Sequence, residues 1–168
     1  MVISSRSKTI VIKGYNPNYI VERKVNSATL KPGMAVSNYG EATGDLVHPA
    51  VTQYPVMGVA LEHTLDDGLA GTIRDPLDID TVYTTASVVR VALLGSGMTC
   101  LMLLAGQATT ATIYGGSDLS LDTTSAGYVA LSETTTTTVS GTSFVSKVGK
   151  SLELNAGGSA AGVIAVVI

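Results

Sequence analysis

Tryptophan is absent from this chain, aromatic residues make up 5% of it and charged residues 14%, against about 25% charged in an average globular domain. So little charge leaves the surface to Thr, Ser, Gly and Ala. It also removes the mixed charges that keep small domains apart, which points to permanent oligomerisation. The single cysteine, Cys100, excludes an intrachain disulfide, and within Met98-Thr99-Cys100-Leu101-Met102 it reads as a small buried hydrophobe. No apolar run approaches the ~20 residues that span a bilayer, and the N-terminus lacks the basic-then-apolar order of a secretory signal. The expectation is a protein made in a cytoplasm, with no membrane partner.

Catalytic and metal-binding groups are equally sparse. His48 and His63 are the only histidines, and neither has a Cys or second His at metal-ligand spacing. Glu62-His63 sets a carboxylate beside a base, but neighbours on a strand point to opposite faces. Asp66, Asp67, Asp75, Asp78 and Asp80 miss the ligand spacing and turn glycine of an EF-hand loop and read as solvated turns. The glycine-rich phrases Gly95-Ser96-Gly97 and Gly115-Gly116-Ser117 lack the Lys-Ser/Thr of a phosphate loop, and no Gly-x-Ser-x-Gly elbow is present. No catalytic residue, metal site or cofactor is therefore expected, and the chain reads as a scaffold.

What is present is extended structure, written twice. Met57-Gly58-Val59-Ala60-Leu61-Glu62 reappears as Val148-Gly149-Lys150-Ser151-Leu152-Glu153, and Gly71-Thr72-Ile73 as Gly162-Val163-Ile164. The spacing is constant, since 149 − 58 and 162 − 71 both give 91. A turn precedes each copy, Lys31-Pro32-Gly33 in the first and Gly115-Gly116-Ser117 in the second. Pro32 presets the second position of a β-turn and Gly33 can take the positive φ of a type II turn. Gly58 leaves room for a bulge or a close backbone approach. Of the paired phrases Val59-Ala60 and Lys150-Ser151, the apolar one has the more buried surroundings, with Val59 foremost.

Helical periodicity is weak throughout, because Gly, Thr, Val and Pro recur too often. Strands are expected at 87–93 and 98–104, as a hairpin from 119–122 and 127–131, and over 144–154 and 163–168. The β-branched run 134–138 favours an extended conformation. Residues 74–86 are the least regular stretch and read as a long loop. The apolar C-terminal strand must be tied into the core or an interface, since a free one would template aggregation. At 168 residues the two halves should share one core. The expected fold is all-β: a small β-barrel or β-tulip-like domain over 28–168, with pseudo-repeats at about 28–73 and 111–164, preceded by an extended N-terminal arm over 1–27.

That arm is basic. Residues 1–31 carry Arg6, Lys8, Lys13, Arg23, Lys24 and Lys31 against Glu22 alone, whereas residues 41–80 carry many carboxylates against Arg74. A basic arm beside an acidic body can dock on a neighbour by charge complementarity. Its positive charge is too thin, and its motifs too few, for direct nucleic-acid binding. Tyr15, Tyr19, Tyr39 and Tyr54 crowd the first third, as interface anchors or as half-buried sheet residues.

The order of these phrases is that of a basic arm, Leu-x-Pro-Gly-x-x-Val at 30–36, Val-x-Gly-Val-Ala-x-Glu at 56–62 and Gly-x-Ile at 71–73. After them come Val-x-Val-Ala-Leu-Leu at 89–94 and a second round ending in Val-Gly-x-x-Leu-Glu and a Gly/Ala-rich apolar strand. It resembles the capsid decoration, or cement, proteins of tailed viruses over residues 28–168. The resemblance implies a homotrimer on the outside of an icosahedral head, clamping the major capsid protein against internal DNA pressure. It implies location on the virion surface, after assembly in the host cytoplasm. By position it places the arm, with Arg6, Lys8, Lys13, Tyr15, Tyr19, Arg23 and Lys24, on the shell. The acidic loop 74–83 and the Thr134–138 run depart from that pattern. A main shell or fibre/turret protein is the alternative within viruses, and a β-barrel ligand-binding module or enzyme the alternative outside them.

Overall fold

The computed structural model describes residues 10–39, 45–51, 54–62, 81–105, 112–131, 137–139, 142–144, 147–152 and 162–168. In chain order its elements are β1 (Val11–Lys13), a 3-10 turn (Pro17–Tyr19), β2 (Ile20–Val25), β3 (Ala35–Asn38), β4 (Leu46–Pro49), β5 (Gly58–Ala60) and β6 (Val88–Leu93). Then follow β7 (Thr99–Leu104), β8 (Asp118–Leu121), β9 (Val129–Leu131), β10 (Thr137–Val139), β11 (Thr142–Phe144), β12 (Lys147–Ser151) and β13 (Gly162–Val167). The fold is all-β, with no α-helix among the described residues.

Each half closes a five-stranded barrel of its own. The first runs β2-β4-β3-β5-β6 and returns to β2; the second runs β7-β9-β8-β12-β13 and returns to β7. Closure removes the open edges that would otherwise recruit other strands. β1 adds to β7 beside the second barrel, and β10 pairs with β11 as a separate hairpin.

The duplication holds at the level of register. Val36 faces Gly58 as Leu119 faces Gly149, and Val59 faces Ala92 as Lys150 faces Val167. The one parallel pairing of each barrel also matches, Val25 with Val47 and Leu104 with Val129. The turns before β3 and β8 are alike too. Gly33 has φ +80° and Met34 N–H donates to the Lys31 carbonyl at 3.3 Å; Gly116 has φ +89° and Ser117 N–H donates to the Tyr114 carbonyl at 3.0 Å. The expected turn at Pro32-Gly33 and its counterpart thus form the same structure.

The repeat begins earlier than the sequence pattern indicated. Ile20–Val25 lies within the span read as arm, yet it is a strand of the first barrel, paired with β6 along its length. Its counterpart is β7, and the two look unrelated for a physical reason. The outer face of β2 meets solvent and carries Glu22 and Lys24, while β7 is apolar on both faces because Leu103 turns outward into the first barrel's core. The arm proper therefore ends at the 3-10 turn.

Two hydrophobic clusters hold the molecule. Val25, Val36, Val47, Ala60, Val89 and Val91, with Leu30, Met34 and Tyr83, fill the first barrel. The second contains Met102, Leu104, Leu119, Val129, Ile164 and Val166, and extends to Ala35, Val59, Leu61 and Ala92 on the strands of the first barrel. The halves thus share a core, as chain length required. Val59 is fully buried while its counterpart Lys150 is exposed, as expected, although Ser151, the counterpart of Ala60, is buried as well.

Gly58 serves close approach: a Cβ there would meet the Ala92 carbonyl oxygen and stand 2.8 Å from Val91 Cγ1. The C-terminus is tied in as expected, with Ile168 buried, its N–H donating to the Met98 carbonyl and its carbonyl accepting from Gly97 N–H. Residues 81–86, the described part of the expected loop, are irregular, and within them Tyr83 is fully buried, its hydroxyl donating to the Leu61 carbonyl at 2.6 Å. His63, the acidic stretch 66–80, the phrase Gly71-Thr72-Ile73 and residues 134–136 lie outside the described residues.

Candidate interaction surface

The arm enters the body at Ile10. Its side chain is buried, its N–H donates to Glu62 Oε2 at 3.0 Å, and its carbonyl accepts from Leu101 N–H at 2.8 Å. Glu62 follows β5 of the first barrel and Leu101 lies on β7 of the second, so the root of the arm is strapped across both. Arg90 Nη2 stands 3.4 Å from the other Glu62 oxygen and completes the clamp. Glu62, noted in the sequence beside a histidine, thus holds backbone.

Beyond that root the chain turns outward. Gly14, at φ +74°, packs where a Cβ would lie 3.4 Å from the Gly97 carbonyl. Asn16 caps the 3-10 turn by accepting from Asn18 N–H, and Pro17 presets its first residue. This short, rigid connection presents Ile12, Tyr15 and Tyr19 at 48%, 59% and 41% exposure. Lys13 is exposed beside them.

The seven arm residues singled out from sequence therefore separate. Lys13, Tyr15 and Tyr19 lie together along the connection; Arg23 and Lys24 belong to β2; Arg6 and Lys8 lie outside the described residues. Arg23 is half-buried, with Nη1 donating to the Glu22 carbonyl at 2.8 Å, so it is a barrel residue. Lys24 is exposed on the barrel wall.

A second aromatic group joins His48 to Tyr39 and Tyr54, a grouping that the sequence did not reveal. His48 on β4 stands edge-on to both Tyr39 and Tyr54, with ring centroids 5.5 Å apart in each pair and interplanar angles of 85° and 89°. Both tyrosines are exposed rather than half-buried in a sheet. Burial holds the His48 pKa below the ordinary value, against opposing hydrogen bonds to the Pro49 and Asn38 backbone. No spacing rule links these three residues, because strand register and the connection after β4 bring them together.

On the second barrel, Asp118 accepts from Lys150 Nζ at 2.9 Å and from Lys147 Nζ at 3.4 Å, which lowers its pKa. All three groups are solvent-exposed, so this is a charged surface and not a structural ion pair. Burial, and secondarily the Glu62 charge, push the Cys100 thiol up to about 12, which leaves it protonated and unreactive. Among the described residues no cluster of His, Cys, Asp and Glu could hold a metal ion. What the site can do chemically is bind through exposed tyrosine, isoleucine and lysine side chains on a rigid support.

No protein-family model matches the chain, and no curated protein matches it in sequence.

Proposed function

We propose that the protein is a non-enzymatic structural component of a virion, a decoration protein that binds the outside of an icosahedral head as a homotrimer and stabilises it. The observation that carries this reading is the arm: fixed at Ile10 between two barrels, it displays Ile12, Lys13, Tyr15 and Tyr19 to solvent. Exposed aromatic and apolar side chains on a pre-ordered segment are an economical anchor, because little conformational entropy is lost on docking. The partner is the major capsid protein, and three linked arms bind with an avidity that one arm lacks.

The low-charge surface of the barrels supports self-association. Nucleic acid and membrane have no part in this reading.

The test is cosedimentation of the purified chain with heads that lack it, in parallel with a Tyr15→Ser/Tyr19→Ser variant. Both side chains are exposed, so the variant keeps its fold, and loss of two tyrosine anchors lowers affinity at least ~10-fold. Equal binding by the two proteins would remove the arm from the interface.

A further inference from the structure

The two barrels of one chain are joined by a contact that uses different faces of each, and among the described residues each barrel leaves unused the face its counterpart employs. The hairpin between β8 and β9 reaches from the second barrel onto the first. Gly127 at its tip accepts from Ala35 N–H and donates to the Ala50 carbonyl, both at 2.8 Å, and packs on Met34, whose Cβ would be 3.0 Å from a Cβ at Gly127. Beside it Tyr128 packs against the first barrel's core. Leu103 N–H donates to the Gly33 carbonyl at 3.0 Å.

The register of the repeat identifies the counterparts among the described residues; that of Ala50 lies outside them. The β3–β4 hairpin of the first barrel corresponds to β8–β9 of the second, with Tyr39 N–H donating to Leu46 as Asp122 N–H donates to Tyr128. Asp45 then stands where Gly127 stands, Leu46 where Tyr128 stands, and Lys24 where Leu103 stands. On the receiving side Ser117 replaces Met34, Asp118 replaces Ala35, Gly116 replaces Gly33 and Lys150 replaces Val59. Asp45 is exposed on the first barrel, and Lys150 and Lys147 are exposed on the second.

We propose that the contact within the chain is made again between chains, the β3–β4 hairpin of one copy docking on the β8–β12 face of a second. This inference rests on the reading that the chain self-associates, and supplies its interface. The chemistry of the two versions differs as their histories require. Ala35 and Val59 are never exposed once the chain folds and are apolar, whereas the surfaces meeting between chains are wet in the free molecule and are polar. At Asp45 the charges are complementary, because the receiving face holds two lysines to one aspartate; Lys24, in the place of Leu103, brings one positive charge to the same contact.

Main-chain bonding also allows the exchange. In the free first barrel Lys24 N–H closes on its own Asp45 carbonyl at 2.7 Å, while in the docked second barrel the equivalent Leu103 N–H is given to the other barrel. Docking thus trades one main-chain bond for another and strands no donor. The contact is heterologous and links copies head to tail; closed at the three copies of the proposed trimer, it joins six barrels.

An Asp45→Cys/Ser117→Cys variant tests the contact, since the spacing of their counterparts, Gly127 and Met34, brings the two Cβ atoms within reach of a disulfide. Under oxidation the expected products are covalent dimers and trimers on a non-reducing gel, absent from either single variant. As an independent arm, Lys150→Glu weakens assembly at low salt and Asp45→Lys in the same chain restores it. A double-cysteine variant that stays unlinked, while light scattering finds the wild-type chain oligomeric, overturns this interface and leaves self-association standing. A monomeric wild-type chain overturns both.

Discussion

Gly58 and Gly149 occupy the same place in two barrels. A Cβ on Gly58 would meet the Ala92 carbonyl oxygen and Val91 Cγ1; a Cβ on Gly149 would meet the Val167 carbonyl oxygen and Val166 Cγ1. In both, a neighbouring strand lies too near for any side chain, and the pairing that closes the barrel depends on that nearness.

Gly58→Ala and Gly149→Ala should therefore each destabilise by about 1–3 kcal/mol, the cost of forcing volume into a packed site. Urea midpoints of the purified variants measure it. A neutral result at either position would contradict the shared packing.

Tyr83→Phe removes the hydroxyl that donates to the Leu61 carbonyl at 2.6 Å, and with it a buried hydrogen bond. The expected loss is about 1–2 kcal/mol. Thermal unfolding of the variant beside wild type checks it, and an unchanged midpoint would sink the claim.

These two cases also mark what the sequence made legible. The glycine pair stood out because a backbone approach tolerates only one residue type, and the copies keep their spacing of 91. Strands such as Val88–Leu93 and Gly162–Val167 were legible because β-branched residues cluster in them. Tyr83 was not, since a core residue in an irregular segment has no period. Nor was the place of β2 in the barrel: its extended character could be read, but Glu22 and Lys24 alternate with Val21 and Val25 at a barrel wall and imitate a charged arm. Of the candidate site, Lys13, Tyr15 and Tyr19 could be picked out by composition, while the Tyr39-His48-Tyr54 group depends on register and could not.

His48 should make stability depend on pH. Its folded pKa lies below the ordinary 6.5, so above that pH the folded and unfolded states bind equal protons at this site. As pH falls below 6.5 the unfolded chain takes up a proton first, and stability declines until the folded pKa is passed. Denaturant titrations from pH 7.5 to 4.5 should show this decline flattened in His48→Gln; parallel curves for the two proteins would rule it out.

Glu62→Ala removes the acceptor for Ile10 N–H and the partner of Arg90. Amide exchange at Ile10 should accelerate at least ~10-fold, equivalent to about 1.4 kcal/mol of lost local protection, with core amides of β6 little changed. Unaltered exchange at Ile10 would show that the strap is held by packing alone.

The proposed function stands or falls on whether the protein binds a viral head and strengthens it. The direct measurement is the temperature at which heads lacking the protein release their DNA, before and after saturation with the purified chain. Stoichiometric binding and a higher release temperature are expected. Absence of binding at micromolar protein, or binding that leaves the release temperature where it was, would contradict the proposed function.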